Sequence, residues 1–118
     1  MTIHPGLLLH VSGAEEPQLK AGIRAAHNAR AQLPDLMMEI VVQGPAVAFL
    51  QSGSALEPEL ASDLTDLGPV HVAVLACANS MRSIGVKPDE LLRGVIVVPA
   101  AVAHLATRQL DGWAYIRV

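Results

Sequence analysis

Nearly continuous apolar runs at 7–11, 36–42, 70–76 and 95–98 set the pattern of this chain. A strand wet on one face alternates apolar and polar positions, whereas unbroken runs fit strands covered on both faces, as in a parallel sheet. Between the runs the period changes. Over 16–33, Leu19, Ile23, Ala26, Arg30 and Leu33 recur at helical spacing, with Pro17 in the first turn and Pro34 stopping the run. Gly44-Pro45 turns the chain into a short helical piece over 46–51, which Ser52-Gly53-Ser54 breaks. Pro58 opens another helix, with Leu60, Leu64 and Leu67 on one stripe and Gly68-Pro69 closing it.

The third run leads into Cys77-Ala78-Asn79-Ser80-Met81-Arg82, a helix start that Gly85 ends within about two turns. Lys87-Pro88-Asp89-Glu90-Leu91-Leu92 makes one more turn. Pro99 then opens a helix over 100–110, and Asp111-Gly112 turns into a fifth strand over 113–118. Strands alternating with helices predict an α/β fold, doubly wound, with five mainly parallel strands and helices on both faces. Ligands of such sheets bind beyond the carboxyl ends of the strands. That edge carries His10-Val11-Ser12-Gly13, Gln43-Gly44-Pro45, Cys77-Ala78-Asn79-Ser80 and Val98-Pro99-Ala100.

The composition narrows the function classes. A length of 118 residues allows one domain, taken here as 1–118, with no second catalytic unit. With 52% hydrophobic and only 3% aromatic residues, the core is built from Ala, Val, Leu and Ile. A net charge of -3 offers no basic field for phosphates, and one Trp, one Tyr and one Phe make no stacking platform, so no nucleic-acid partner is expected. The region 94–106 is interrupted by Pro99 and His104 and is too short to span a bilayer, and Met1-Thr2-Ile3-His4-Pro5-Gly6 lacks the basic start of a signal peptide. A cytoplasmic protein without a membrane partner is expected. The single cysteine, free of any disulfide or Cys-x-x-Cys motif, fits that reducing compartment.

Neither a metal nor another cofactor is expected. His4, His10, His27, His71 and His104 stand singly, with no pair at the one-turn spacing of a helical metal site. The glycine signatures of dinucleotide and P-loop sites are missing after the first strand. His27 and His104 are expected on helix surfaces and His71 at the edge opposite Cys77.

The sharpest chemical signal is Cys77, where a strand ends and a helix begins: free N–H groups and the positive end of a helix dipole stabilise a thiolate there. A free cysteine also serves as a small buried hydrophobe, and Asn79 and Ser80 suit helix caps as well as polar neighbours of a sulfur. Cys77-x4-Arg82 is one residue short of a phosphatase-type Cys-x5-Arg loop and has no glycine between the two, so Arg82 is expected to be solvated. The pocket candidates at this edge are His10, Gln43, Gly44, Asn79, Ser80 and Pro99.

Ala76-Cys77-Ala78-Asn79-Ser80-Met81, Asp89-Glu90-Leu91-Leu92, Gly94-Val95-Ile96-Val97-Val98-Pro99 and Gln109-Leu110-Asp111-Gly112-Trp113-Ala114-Tyr115-Ile116 together resemble the DsrE/DsrF-like family of small α/β proteins. Softer matches are His10-Val11, Asn28 and Val41-Val42-Gln43-Gly44-Pro45. The resemblance implies a three-layer α/β/α domain with a five-stranded parallel sheet, assembled as a homotrimer or homohexamer. It also implies sulfur handling, in which a cysteine matching Cys77 accepts sulfane sulfur as a persulfide and exchanges it with carrier proteins or small donors. With no second thiol, release would need an external one. Two other readings stand beside this sulfurtransferase-like relay: a small-metabolite-binding module with Cys77 as pocket wall, and an oligomeric structural or regulatory module without chemistry.

Overall fold

The computed structural model describes residues 5–54 and 58–118; His4 and the side chain of Leu60 lie outside the described residues. The strands are β1 (Gly6–Val11), β2 (Met37–Val42), β3 (Val72–Cys77), β4 (Ile96–Val98) and β5 (Ala114–Arg117), and the α-helices are α1 (Glu16–Gln32), α2 (Pro58–Thr65), α3 (Ala78–Ile84) and α4 (Ala101–Leu110). All five strands are parallel, in the order β4-β3-β2-β1-β5. The apolar runs thus mark the strands of a parallel sheet with helices on both faces, the three-layer α/β/α architecture.

The two faces are covered unequally. Alternation along each strand sends Leu9, Ile40, Val42 and Val74 to one face, where they pack against Leu19, Ile23 and Ala26 of α1, Leu64 of α2, Met81 of α3 and the 3-10 helix Gly44–Leu50. Leu8, Val41, Leu75 and Cys77 point to the other face, against Ala101 and Leu105 of α4 and against Trp113. Three α-helices therefore share one face, and α4 is the one α-helix packed on the other among the described residues.

Boundaries shift where local chemistry overrides the apolar pattern. Leu33 continues the stripe of α1 in sequence, yet it is the C-cap and lies half exposed, because Pro34 ends the helix. Arg30, on the same stripe, turns its guanidinium to the carbonyls of Leu33 and Pro34 at the end of α1 and of Val70 and His71 before β3. Residues 68–70 extend no strand. They form the 3-10 turn Gly68–Val70, closed by His71 in the left-handed region (φ 60°) before β3 starts. The piece after β2 is a 3-10 helix rather than an α-helix, and it begins at Gly44, whose φ of +68° suits glycine.

Candidate functional site

The order of the strands fixes where a site can form. β3 sends its chain into α3 on the crowded face, whereas the adjacent β4 sends its chain into α4 on the opposite face. Neighbouring strands whose connections part in this way open a crevice at their carboxyl ends. Cys77, the last residue of β3, stands at that switch point, register partner of Val98 at the end of β4.

Two helix starts meet on its sulfur. Cys77 is the N-cap of α3, and it also serves α4: the Ala101 N–H, first in that helix, donates to Cys77 Sγ at 3.3 Å. Ala100, the N-cap of α4, has no side-chain acceptor, so the sulfur takes the role a Ser or Asp would play there. The amides of Asn79 and Ser80 act at longer range, since no side-chain capping bond closes within α3. Ser80 adds a hydroxyl. Its Oγ accepts the Gly44 N–H at 2.8 Å, leaving the O–H to donate to the sulfur.

Gly44 must be a glycine for this contact. Its positive φ is strained for any L side chain, and a Cβ would lie 3.2 Å from the Ser12 carbonyl oxygen. Burial, with Cys77 only 3% exposed, pushes the thiol up. The Ser80 hydroxyl and the amides of Ala101, Ser80 and Asn79 outweigh that push, so the thiol lies below its ordinary value. The arrangement supplies what a nucleophilic thiolate needs: fixed hydrogen-bond donors at the starts of two helices.

The other edge residues form a second cluster on the same sheet face. His10 Nε2 donates to Gln43 Oε1 at 2.8 Å, and His10 Nδ1 lies within hydrogen-bond distance of Tyr115 Oη at 2.6 Å. Gln43 directly precedes Gly44, so this cluster is continuous in the chain with the Ser80 contact. Asn79 is exposed and accepts from Arg82, which is itself solvated as its spacing predicts. Pro99 lies exposed at the bend between β4 and α4. His71 lies at the far edge, as expected. Tyr115 and the Ala101 amide were not foreseen as site groups: the first is visible only as a tyrosine within the terminal strand, and the second is a backbone donor without a side-chain signature.

His104 departs from expectation. It is not a surface residue: its Nε2 lies 2.7 Å from Glu39 Oε1, and Arg108 grips the same carboxylate through Nε at 3.1 Å and Nη2 at 2.9 Å. Glu39 is only 8% exposed. Burial pushes its carboxyl up, but hydrogen bonds from Arg108 and His104, and their charge, bring it below the usual carboxylate range. Arg108 also stacks over the Trp113 ring, 4.6 Å from its centroid. The cue was a lone acid inside the run 36–42, together with His104 and Arg108 one helical turn apart.

A parallel α/β sheet with one thiol at its switch point, held by two helix starts, defines a small three-layer thiol protein. The model of the DsrE/DsrF-like family matches residues 7–118, and the chain belongs to that family. Among solved structures it is similar to MTH1491 of Methanobacterium thermoautotrophicum, described as a protein of unknown function, with 32% identity, a TM-score of 0.87, and 97% of this chain and 99% of that one covered. It is similar in fold to the ychN protein of E. coli, at 19% identity and a TM-score of 0.82, again over 97% of this chain and 99% of the other. No curated protein sequence matches it. Membership in this family associates the chain with sulfur relay, and its single buried cysteine is consistent with that role.

Proposed function

We propose that the chain is a sulfur carrier, a sulfurtransferase-like relay in which Cys77 accepts one sulfane sulfur. The Cys77 thiolate attacks the outer sulfur of a persulfide, polysulfide or thiosulfate. A new S–S bond forms on Cys77 while the donor's S–S bond breaks, and its electron pair leaves with the donor as a thiolate, shorter polysulfide or sulfite. No net oxidation occurs. An external thiol then takes the sulfur by the same exchange, because the sequence contains no second cysteine. The observation that carries the reading is the Ala101 N–H on Cys77 Sγ at 3.3 Å, at a point where two helices begin. His10, Gln43, Gly44, Asn79, Ser80 and Pro99 border the approach in this reading.

A free thiol with this chemistry suits the reducing cytoplasm, and no helix among the described residues is long and apolar enough to cross a membrane. The partners of this reading are further copies of the chain, as a trimer or hexamer, and sulfur-carrier proteins or small sulfane donors. The competing reading, a binding or structural module, draws on the burial of Cys77 and its capping of α4.

Intact-protein mass spectrometry after exposure to polysulfide or thiosulfate separates the two. The relay predicts a gain of one sulfur atom, removed by dithiothreitol and absent from Cys77→Ser. An unchanged mass with either donor would leave Cys77 a structural cap.

A further inference from the structure

The clamp on α4 lies at the opposite end of the sheet from the thiol, yet both act on one helix. Ala101, His104, Leu105 and Arg108 fall at one-turn spacing, so the amide that meets Cys77 and the two side chains that meet Glu39 share the sheet-facing stripe of α4. Glu39 pairs in register with Ala73, four residues before Cys77 on β3, or about 13 Å along the strand at the usual rise. Over α4, Ala101 and Arg108 stand seven residues apart, about 10 Å. The helix thus runs back along the sheet, from a soft contact at its start to an ionic one near its end.

The remaining hold on α4 is modest. Within the helix, Ala101 and Leu105 are the buried residues, and an alanine contributes little apolar area. Glu39 is the buried charged residue of the described chain, and both its oxygens are taken up by α4. A carboxylate placed in an apolar strand costs desolvation, which its two partners offset only while α4 stays docked. If α4 shifts by even an ångström, the 3.3 Å contact of its first amide with the sulfur lengthens beyond a useful hydrogen bond.

We propose that Glu39 is a positioning residue for Cys77: by clamping His104 and Arg108 it fixes α4 so that the Ala101 amide stays on the sulfur and keeps the thiolate favoured. This role rests on the reading of Cys77 as a reactive thiolate. It acts through geometry, since Glu39 touches neither the sulfur nor the groups around it. The groups acting on Cys77 from its neighbours are the Asn79 amide and Ser80 on α3 and the Ala101 amide on α4. His10, on the same sheet face, is engaged by Tyr115 and Gln43.

The test follows the thiolate absorbance of Cys77 against pH, with Cys77→Ser subtracted, in the full chain and in Glu39→Gln, His104→Gln and Ile23→Val. Ile23 lies in the core of the other face, so Ile23→Val lowers stability without altering the residues packed against α4. Glu39→Gln, and His104→Gln to a smaller degree, should raise the midpoint enough to leave about threefold to tenfold less thiolate at neutral pH, while Ile23→Val leaves it in place. The sole tryptophan, Trp113, reports in the same samples by fluorescence that Arg108 has been released. A midpoint unchanged in both clamp variants, or moved equally by Ile23→Val, overturns the positioning role. An ordinary thiol midpoint in the unaltered protein overturns the thiolate reading instead. If Glu39→Gln does not fold, His104→Gln carries the same decision.

Discussion

At the scale of single residues, Cys77 is a buried sulfur whose charge is favoured by dipoles alone. Among the described residues Ser80 is the one side chain that donates to it, and the Gly44 N–H holds the acceptor side of that hydroxyl. Ser80→Ala should therefore raise the Cys77 midpoint by about one unit, a tenfold loss of thiolate below it, and cost about 1 kcal/mol of stability because the Gly44 N–H loses its acceptor. Thiolate absorbance titration checks this, and an unmoved midpoint would assign the lowering to the helix amides. The placement of Cys77 was legible in sequence because an apolar run stops and Ala-Asn-Ser-Met begins a helix there. The Ala101 amide was not, since a backbone donor 24 residues away becomes a neighbour only when β3 and β4 lie side by side.

At the scale of elements, α4 is a ten-residue helix whose attachment depends on a carboxylate. Glu39 faces His104 and Arg108 from α4, and it lines a cavity of about 400 Å³ with Arg30 of α1, Asp35 and His71. Its carboxyl is held below the ordinary range in the folded protein, so on acidification the unfolded chain takes up this proton first, near pH 4.3. The stability the clamp contributes is complete above that point and lost as pH falls through the folded value. Unfolding free energies from urea titration of the unaltered protein and Glu39→Gln should differ by on the order of 2 kcal/mol at neutral pH. They should converge as pH falls below the unfolded carboxyl's value and through the lowered folded one. A gap of constant size across that range would show that Glu39 contributes no ionic hold. The clamp was hidden in sequence because Glu39 sits within a run read by its apolar neighbours, and because His104 and Arg108, one turn apart, look the same on a wet helix face as on a docked one.

At the scale of the whole molecule, the sheet order was the part that local patterns left open. Four apolar runs, the prolines and the Asp111-Gly112 turn predict five mainly parallel strands, but nothing within the last segment says that β5 returns beside β1 instead of extending the sheet past β4. That return leaves α4 as a lone cover and turns its outer side to solvent, with Val102 at 70% and Leu110 at 88% exposure. These two residues, with Ala106 between them, form an apolar stripe on the face of α4 opposite the clamp. Ile116 on the edge strand β5 is half exposed as well. Apolar surface laid out in this way is suited to a symmetric contact between copies. Sedimentation equilibrium should find three or six copies for the unaltered protein, and Leu110→Glu should weaken the association more than tenfold, since a charge would have to be buried in each contact. A monomer at micromolar concentration in the unaltered protein would overturn the assembly. Because the same helix holds its first amide on Cys77, burying its outer side between copies would stiffen the sulfur site. Leu110→Glu should then also raise the Cys77 midpoint, in the direction of Glu39→Gln, although it lies on the opposite side of α4.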